Sequence, residues 1–252
     1  MKFGWTGLAF LAALALAWSG CATGSGEGGA DDSHYDLRES SAEHGSGKYY
    51  MGREIADGMH TEHGIDWFER PTRDTEELPS RLLQVLNLPQ SAVVADIGAG
   101  KGFLTFRLAG IVPSGRVLAV DIEPELLDSI RVRMEKEGVR NIQPVLGTVE
   151  NPNLPQGSVD LTLIVSTYHE FSHPREMLEA VYAGLKEGGR LVIVEYRAED
   201  ETIPVSFVHR MSEEQIRQEL EASGFRWRET IDVLPQQHIV VFQKPVADPI
   251  GP

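Results

Sequence analysis

Cysteine and positive charge are both scarce in this sequence, and each scarcity excludes a class of function. Cys21 is the only cysteine among 252 residues. A single cysteine rules out an internal disulfide framework or a cysteine-based zinc site, and a mature fold beyond it has no cysteine nucleophile. Lys and Arg number 23 against 38 Asp and Glu, which gives a net charge of −15. Because a nucleic-acid surface needs Lys and Arg to displace counterions, we predict no nucleic-acid partner.

Long hydrophobic runs are also scarce, and the one near the start is short. "LAFLAALALAW" is an uncharged run of about 11 residues that follows a lysine and precedes Ser19, Gly20 and Cys21. This is the layout of a secretory signal, and the run is too short to span a bilayer as a permanent helix. The segment around Cys21 resembles the lipobox of bacterial lipoproteins, although Trp18 stands where an aliphatic residue is usual.

This N-terminal pattern predicts export and a location on the membrane. We expect residues 1–21 to be a signal peptide and Cys21 to carry a lipid anchor that holds an exported, periplasmic or cell-surface protein. Plain secretion with an incidental cysteine is an alternative. An uncleaved signal, with the domain facing the cytoplasm, is another.

The rest of the chain divides by composition. Residues 22–47 are rich in Gly, Ser and acids without apolar periodicity, so we predict a disordered, solvated tether. Residues 48–90 mix aromatic and charged residues with helical spacing and end in the amphipathic "DTEELPSRLLQVLNL", which predicts an N-terminal helical cap. Residues 91–244 form the main domain, and residues 245–252 are a short tail.

Strand and helix patterns alternate through the main domain. Seven apolar segments predict strands: "AVVADI", "GRVLAVDI", "NIQPVLG", "VDLTLIVST", "RLVIVEY", "FRWRETIDVL" and "HIVVFQK". Helical patterns separate most of them, including "PELLDSIRVRMEKEG" and a helix from "HPREM" to the two glycines of "LKEGG". Ser212 and Gln215 are placed as a capping box. The order predicts an α/β fold with a doubly wound, mostly parallel sheet of seven strands, the last two antiparallel.

The loop in "VVADIGAGKGFLTF" follows the first of these strands, where an open α/β sheet binds its ligand. Gly98, Gly100 and Gly102 form G-x-G-x-G, whereas a dinucleotide loop needs G-x-G-x-x-G and would place its third glycine at Phe103. The carboxylate of Asp96 would repel a pyrophosphate so close to the loop. A nicotinamide-dependent oxidoreductase is therefore disfavoured.

A second acid lies at the end of the second strand. Asp121 closes "VLAVD", which is where a carboxylate accepts hydrogen bonds from a ribose diol. Both acids also have structural alternatives, because Asp96 could cap the following turn and Asp121 the next helix. Together, in this order, they indicate a nucleoside ligand without a pyrophosphate.

The motifs "VADIGAGKG", "VLAVDIEPELL", "GSVDLTLIVSTYHE" and "LKEGGRLVIVEY" resemble those of class I S-adenosylmethionine-dependent methyltransferases. The resemblance covers residues 78–244 and is strongest to the ubiquinone/menaquinone-type C-methyltransferases, a small-molecule branch. It implies a Rossmann-like fold and S-adenosyl-L-methionine as the cofactor.

The resemblance also implies a cofactor site. Asp96, Gly98 and Gly100 would surround the methionine part, with Gly102 opening the helix, and Asp121 would bind the ribose. Ile122, Thr148 and Val149 would lie at the adenine. Ser166 and Thr167 would border the methyl group. Many relatives have an acid and an alanine where Thr148 and Val149 stand, so the usual acid contact to adenine is missing here or comes from Glu150.

The end of the fourth strand offers groups for the chemistry. In "STYHEF", Tyr168, His169 and Glu170 would face the transferring methyl group, with His169 as a general base that Glu170 orients. Capping of the helix near Pro174 is the structural alternative. Glu195 and His209 lie at the same rim, and imidazole and carboxylate ligands suit a transition metal. Nothing in their spacing requires one, so we predict no metal.

The leading hypothesis is a membrane-tethered methyltransferase that acts on a small or lipid-like acceptor. The alternative is a binding module that holds an adenosyl or other nucleoside ligand and does no chemistry. Arsenite-type methylation needs several cysteines, and the single cysteine of this chain disfavours it.

Overall fold

Residues 32–58 and 70–247 are the part of the chain that the computed structural model describes. The predicted signal segment 1–21, the first part of the predicted tether and the end of the tail lie outside these residues. Within the described ranges, no helix is long and apolar enough to cross a membrane.

The described strands form two sheets. The ten strands are β1 Tyr35–Leu37, β2 Gly45–Tyr50, β3 Arg53–Ala56, β4 Val93–Ile97, β5 Arg116–Asp121, β6 Ile142–Leu146, β7 Val159–Val165, β8 Leu185–Tyr196, β9 Arg226–Ile231 and β10 Gln237–Gln243. The main sheet has the order β6-β5-β4-β7-β8-β10-β9, and β1-β2-β3 form a small antiparallel sheet. In the main sheet, β10 alone runs antiparallel to its neighbours. The predicted seven-stranded, mostly parallel sheet is confirmed.

Helices cover both faces of the main sheet. The six described helices are α1 Arg73–Glu76, α2 Pro79–Val85, α3 Thr105–Ile111, α4 Pro124–Glu137, α5 Pro174–Gly184 and α6 Glu213–Ala222, with short 3-10 turns at Asp32–His34, Tyr168–Glu170 and Phe207–His209. Leu82, Leu108 and Ile130 bury α2, α3 and α4 against one face. Leu178 and Leu220 bury α5 and α6 against the other. This is the doubly wound arrangement that the alternating sequence pattern predicts.

The helix boundaries follow local sequence signals, with one correction. Helix α6 begins after Ser212, whose Oγ accepts the backbone N–H of Gln215 at 3.1 Å. The Gln215 side chain donates elsewhere, so only half of the predicted capping box forms. The helix before β8 was predicted to continue to two glycines, and this is wrong: α5 ends at Gly184 and β8 begins at Leu185. Leu185 is fully buried in the sheet core, which favours the strand.

The N-terminal prediction is wrong where the structure describes it. Residues 45–56 form the hairpin of β2 and β3 instead of a helix, and β1, inside the predicted tether, pairs with residues 48–50 of β2. Met51 and Gly52 connect the hairpin with φ of 48° and 93°, the positive values of a type I′ turn. Residues 59–69 of the predicted cap lie outside the described residues, and the helical prediction is confirmed at α1 and α2.

The end of the predicted tether is ordered by one buried carboxylate. Glu54 on β3 accepts hydrogen bonds from the Ser41 backbone and hydroxyl, the Gly47 backbone and the Tyr49 hydroxyl. These bonds hold the loop between β1 and β2 against the hairpin, so a segment of tether-like composition is nevertheless folded.

A buried ion pair joins the small sheet to the main domain. Arg53 on β3 donates from Nε and Nη2 to the two carboxylate oxygens of Glu219 on α6, at 2.8 and 3.1 Å. Glu219 is fully buried and also accepts the Tyr168 hydroxyl at 2.7 Å and the Gln215 amide at 2.8 Å. Arg53 donates further to the carbonyl of His169. The carboxylate is therefore the centre of a satisfied buried network.

Replacing Arg53 with Met should destabilise the protein strongly. The substitution leaves the Glu219 charge buried without its cation, which typically costs about 3–5 kcal/mol. The Arg53→Met, Glu219→Leu double variant should lose much less than the sum of the single variants. Denaturant unfolding measures these differences.

The exposed pair of Arg131 and Asp128 on α4 provides the control. Arg131→Ala should change the free energy of unfolding by about 1 kcal/mol or less. A loss of similar size in Arg53→Met would contradict a central role for the buried network.

Candidate functional site

A cavity of about 1070 Å³ opens at the carboxyl ends of the parallel strands. The loops after β4, β5, β6 and β7 line one side, and Leu37, Ser46, Lys48 and Ile55 from the small sheet line the other. The chain reverses its direction of growth across the sheet between β4 and β7, so the cavity lies at the topological switch point. This is the position where open α/β sheets bind ligands.

The glycine loop lies on the floor of this cavity. Gly98 and Gly100 differ in what a side chain at each position would meet. Gly98 has φ of +75°, and a Cβ there would lie 2.6 Å from Oγ1 of Thr167. Gly100 has φ of +55°, and a Cβ there would meet nothing within 4 Å. Gly98 therefore permits packing within the protein, whereas Gly100 leaves open space for a ligand to approach the backbone.

The carboxylate of Asp121 binds the backbone of the glycine loop. Its Oδ2 accepts the backbone N–H of Gly100 at 2.8 Å, and its Oδ1 accepts that of Glu123 at 3.0 Å. A carboxylate offers about four lone-pair sites, so each oxygen can accept another donor. Asp121 lines the cavity, as the ribose-binding prediction requires, and its bond to Glu123 holds the residue that precedes α4.

Asp96 plays a different part although it lines the same cavity. It is buried, and Oδ2 accepts the Thr105 hydroxyl at 2.6 Å, which joins β4 to the first turn of α3. The pKa of Asp96 is raised to about 6, chiefly by burial; the Thr105 hydrogen bond lowers it in part, and the nearby charge of Asp121 adds to the rise. Near neutral pH this carboxyl is therefore close to its titration range.

Two apolar side chains flank the far side of the cavity. Ile122 is 38% exposed and Val149 is 44% exposed, which is unusual for side chains of this size. Thr148 lines the cavity beside them, and its hydroxyl accepts the backbone N–H groups of Glu150 and Asn151. Thr148 thus shapes the loop after β6, and the pair of exposed aliphatic groups presents a surface on which a flat ring could pack.

Ser166 does not reach the cavity, which corrects its predicted role beside the methyl group. Its φ is +48°, and its hydroxyl accepts the Gln237 amide at 2.8 Å in the buried interior. This turn in the backbone presents Thr167 to the cavity instead. Gly102 is also absent from the lining, since it lies against Phe106 at the start of α3.

The "YHE" turn is only partly at the cavity. Tyr168 is fully buried and donates to Glu219, and His169 is buried and contacts Glu195, so neither lines the cavity. The predicted role of these two residues at the transferring methyl group is not supported by their position. Glu170 does line the cavity.

His169 is oriented by Glu195, whereas the sequence predicted Glu170 for this role. Nδ1 of His169 lies 2.8 Å from Oε2 of Glu195, and Nε2 lies 3.6 Å from Oε1 of Glu170, too far for a hydrogen bond. Burial disfavours the imidazolium, but the charges of Glu195 and Glu170 outweigh it and raise the pKa of His169 to about 9. Burial and the neighbouring His169 lower the pKa of His209 to about 4.

Sequence reasoning missed the contribution of the N-terminal region. Lys48, Arg70 and Arg73 line the cavity together with Ile55 and Ala56. None of them lies in a recognisable motif. The density of aromatic and charged residues from residue 48 onward was the available signal, and it was interpreted as a helical cap.

Comparison with known proteins agrees with the fold. Residues 94–189 match the model of a family described as a methyltransferase domain. A ubiquinone/menaquinone biosynthesis C-methyltransferase of Ectopseudomonas mendocina is 34% identical over 105 residues, which are 41% of this chain and 41% of that protein. A protein-L-isoaspartate O-methyltransferase of Aeropyrum pernix is 35% identical over 114 residues, 45% of this chain and 42% of that protein.

A solved structure extends the likeness beyond the matched segment. The SAM-dependent methyltransferase from Aquifex aeolicus has a TM-score of 0.67 at 24% identity, covering 72% of this chain and 97% of its own. The described domain therefore has the fold of class I methyltransferases. The chain spans about two fifths of the length of the curated relatives it matches. Because these relatives methylate carbon in one case and oxygen in the other by their names, they do not identify the acceptor.

The pKa of Asp96 predicts a pH-dependent stability. A buried carboxyl whose pKa rises from 3.8 to about 6 binds its proton more tightly in the folded state, so its contribution is full below about pH 4 and is lost as pH rises towards 6. The loss corresponds to about 3 kcal/mol.

Asp96→Asn removes this titration while keeping a group of similar shape beside Thr105. The difference in unfolding free energy between the variant and the parent should move in favour of the variant between pH 4 and 6, and then level off. Denaturant unfolding at several pH values measures it, and parallel pH profiles for the two proteins would contradict the assignment.

Proposed function

We propose that this protein is an S-adenosylmethionine-dependent methyltransferase that acts on a small or lipid-like acceptor. The observation that carries the proposal is the pairing of Asp121 with the Gly100 backbone at the edge of a large cavity, at the switch point of a methyltransferase fold. The family match over residues 94–189 supports the same class.

The residues present fit this cofactor. Gly100 leaves the backbone open to a ligand, Asp121 keeps acceptor capacity for a diol, and Ile122 and Val149 expose aliphatic surface for a purine. Asp96 and Asp121 make this side of the cavity acidic, which suits a ligand that carries ammonium and sulfonium charges. The dinucleotide alternative has no comparable support.

Bound here, S-adenosylmethionine would supply a methyl group that its sulfonium activates for in-line displacement. The protein's task is then to position the acceptor and exclude water. Leu37, Ile55, Phe171 and Met177 make part of the cavity wall apolar, which favours an acceptor with an apolar body. Glu170 is the member of the "YHE" turn that reaches the cavity, so it is the group placed to contact the acceptor or accept its proton.

A second candidate is a binding module that holds an adenosyl ligand without methyl transfer. The observation that favours it is the burial of Tyr168 and His169 behind the cavity wall, where they cannot touch a substrate. Cofactor binding without turnover on any acceptor would support it over the enzyme.

Asp121→Asn should weaken binding of S-adenosylmethionine and of its demethylated product by at least tenfold, because the amide replaces one acceptor oxygen by a donor. Calorimetric titration of the purified chain measures both ligands. Asp128 on α4, which is exposed and pairs with Arg131 away from the cavity, offers a control, and Asp128→Asn should bind as the parent does.

A folded parent protein that binds neither ligand would sink the methyltransferase proposal. The titration should use a chain that retains β1 and β2, because residues before Lys48 line the cavity.

We also propose that the protein is exported and lipid-anchored through Cys21. The apolar run and the small residues before the single cysteine support this. Export would separate the domain from a cytoplasmic cofactor unless the cofactor reaches that compartment.

Palmitate labelling in a bacterial host tests the anchor. The parent chain should incorporate the label and fractionate with membranes, and Cys21→Ser should lose both properties. An unlabelled parent chain found in the soluble periplasmic fraction would contradict the proposal and favour plain secretion.

A further inference from the structure

Within the part of the chain that the structure describes, three ligand atoms converge beside the cavity without hydrogen-bond partners. They are Nε2 of His169, Oε1 of Glu170 and Nδ1 of His209, and all three are buried. The Glu170 oxygen lies 3.6 Å from the His169 nitrogen and 3.8 Å from the His209 nitrogen. Buried polar atoms are rarely left unpaired, so three unpaired atoms around one point call for an explanation.

The separations suit coordination to one metal ion. Bonds of 2.0–2.2 Å in a tetrahedral site place neighbouring ligand atoms about 3.3–3.6 Å apart. The three atoms here lie within 4.8 Å of one another. The site therefore needs only small side-chain movements to close around an ion.

Glu195 and Arg53 hold His169 in an orientation that suits metal binding. Glu195 is fully buried, lies 2.8 Å from Nδ1 of His169 and accepts the His169 backbone N–H at 3.3 Å. A carboxylate that binds one ring nitrogen fixes the ring so that the other nitrogen can face the metal. Metal-binding histidines usually have such a carboxylate, carbonyl or water on the second nitrogen. Arg53 holds the same turn from the other side, through the His169 carbonyl.

We propose that His169, Glu170 and His209 bind a divalent first-row transition metal ion such as Zn²⁺, with Glu195 as the positioning residue for His169. Two imidazoles and one carboxylate favour such ions over Mg²⁺ and Ca²⁺, which prefer oxygen ligands. Three protein ligands leave at least one coordination position open. Because Glu170 also lines the cavity, the ion would lie in its wall. This site replaces the expectation of no metal, and metal binding is measurable whether or not the chain transfers methyl groups.

The first experiment measures metal binding by the purified chain after removal of metal with a chelator. Zn²⁺ affinity is obtained by competition with a chromophoric chelator, and Co²⁺ provides an absorption spectrum that reports the ligand geometry. We expect one ion per chain with submicromolar affinity for Zn²⁺, and an increase in thermal stability on binding.

Variants locate the ion. His209→Gln and Glu170→Gln should each weaken Zn²⁺ binding at least 100-fold, and Glu195→Gln should weaken it 10–100-fold because it acts through His169. His173 is a control outside the cluster: its ring nitrogens lie 3.0 Å from the Ser172 hydroxyl and 3.1 Å from Nζ of Lys48. His173→Gln should bind Zn²⁺ as the parent does.

Unfolding of each metal-free variant shows whether it is folded. If His209→Gln does not fold, Glu170→Gln decides in its place, since Glu170 is partly exposed at the cavity. A parent chain that binds no Zn²⁺ would overturn the proposal. Equal binding by Glu170→Gln and the parent would also overturn it, and would place the ion elsewhere.

Discussion

The buried carboxylate of Glu219 is the interaction on which the arrangement of the site depends. It lies on α6, outside every motif of the cofactor loop, yet it binds Arg53 of the small sheet and Tyr168 of the "YHE" turn together. An ionised carboxylate in the interior is tolerated only with an opposite charge and hydrogen bonds around it. The fold must therefore bring three separate segments to one place, and this places the small sheet against the cavity.

The same network explains why the "YHE" turn is directed inward. Tyr168 gives its hydroxyl to Glu219, and the carbonyl of His169 accepts from Arg53. Because Tyr168 and the His169 carbonyl are both held by these buried hydrogen bonds, the ring of His169 points towards Glu195 on strand β8. Of the three residues in the turn, Glu170 is left to face the cavity. The position of the residues nearest to any chemistry is thus set by a contact with the N-terminal sheet.

The sequence predicted the main sheet well because its signals are local. Strands β4, β5, β7 and β8 are apolar runs that bury both faces, and a strand of that composition has few other places in a soluble fold. Gly100 and Asp121 were predicted for similar reasons, since a glycine loop between a strand and a helix has a fixed place in this fold. Ser166 shows the limit. Its φ is positive, and its hydroxyl bonds Gln237 on a strand about 70 residues away. As a result Thr167, and not Ser166, faces the cavity.

The small sheet could not be predicted for a related reason. Its hairpin turns at Met51 and Gly52, and methionine is not a residue that favours positive φ, so the turn carries little local signal. What stabilises it is Glu54, which binds Ser41 in the polar loop before β2 and Gly47 in β2, within a segment that by composition resembles a tether. Propensity and periodicity describe a segment by itself, whereas these bonds come from side chains brought together by the fold.

Glu170 connects the two parts of the site that sequence analysis treated separately. One of its oxygens lies between two histidines, and the residue also lines the cavity where an acceptor would bind. A charge held between those histidines would act at the cavity wall, because both histidines are buried and Glu170 is mostly buried, so solvent screens the interaction weakly. A metal ion there would place a positive charge close to the acceptor. A protonated His169 would place a smaller charge at a greater distance, because His169 does not line the cavity. In either state, the histidines influence the cavity through Glu170 rather than by direct contact. A search for a catalytic base should therefore begin with Glu170.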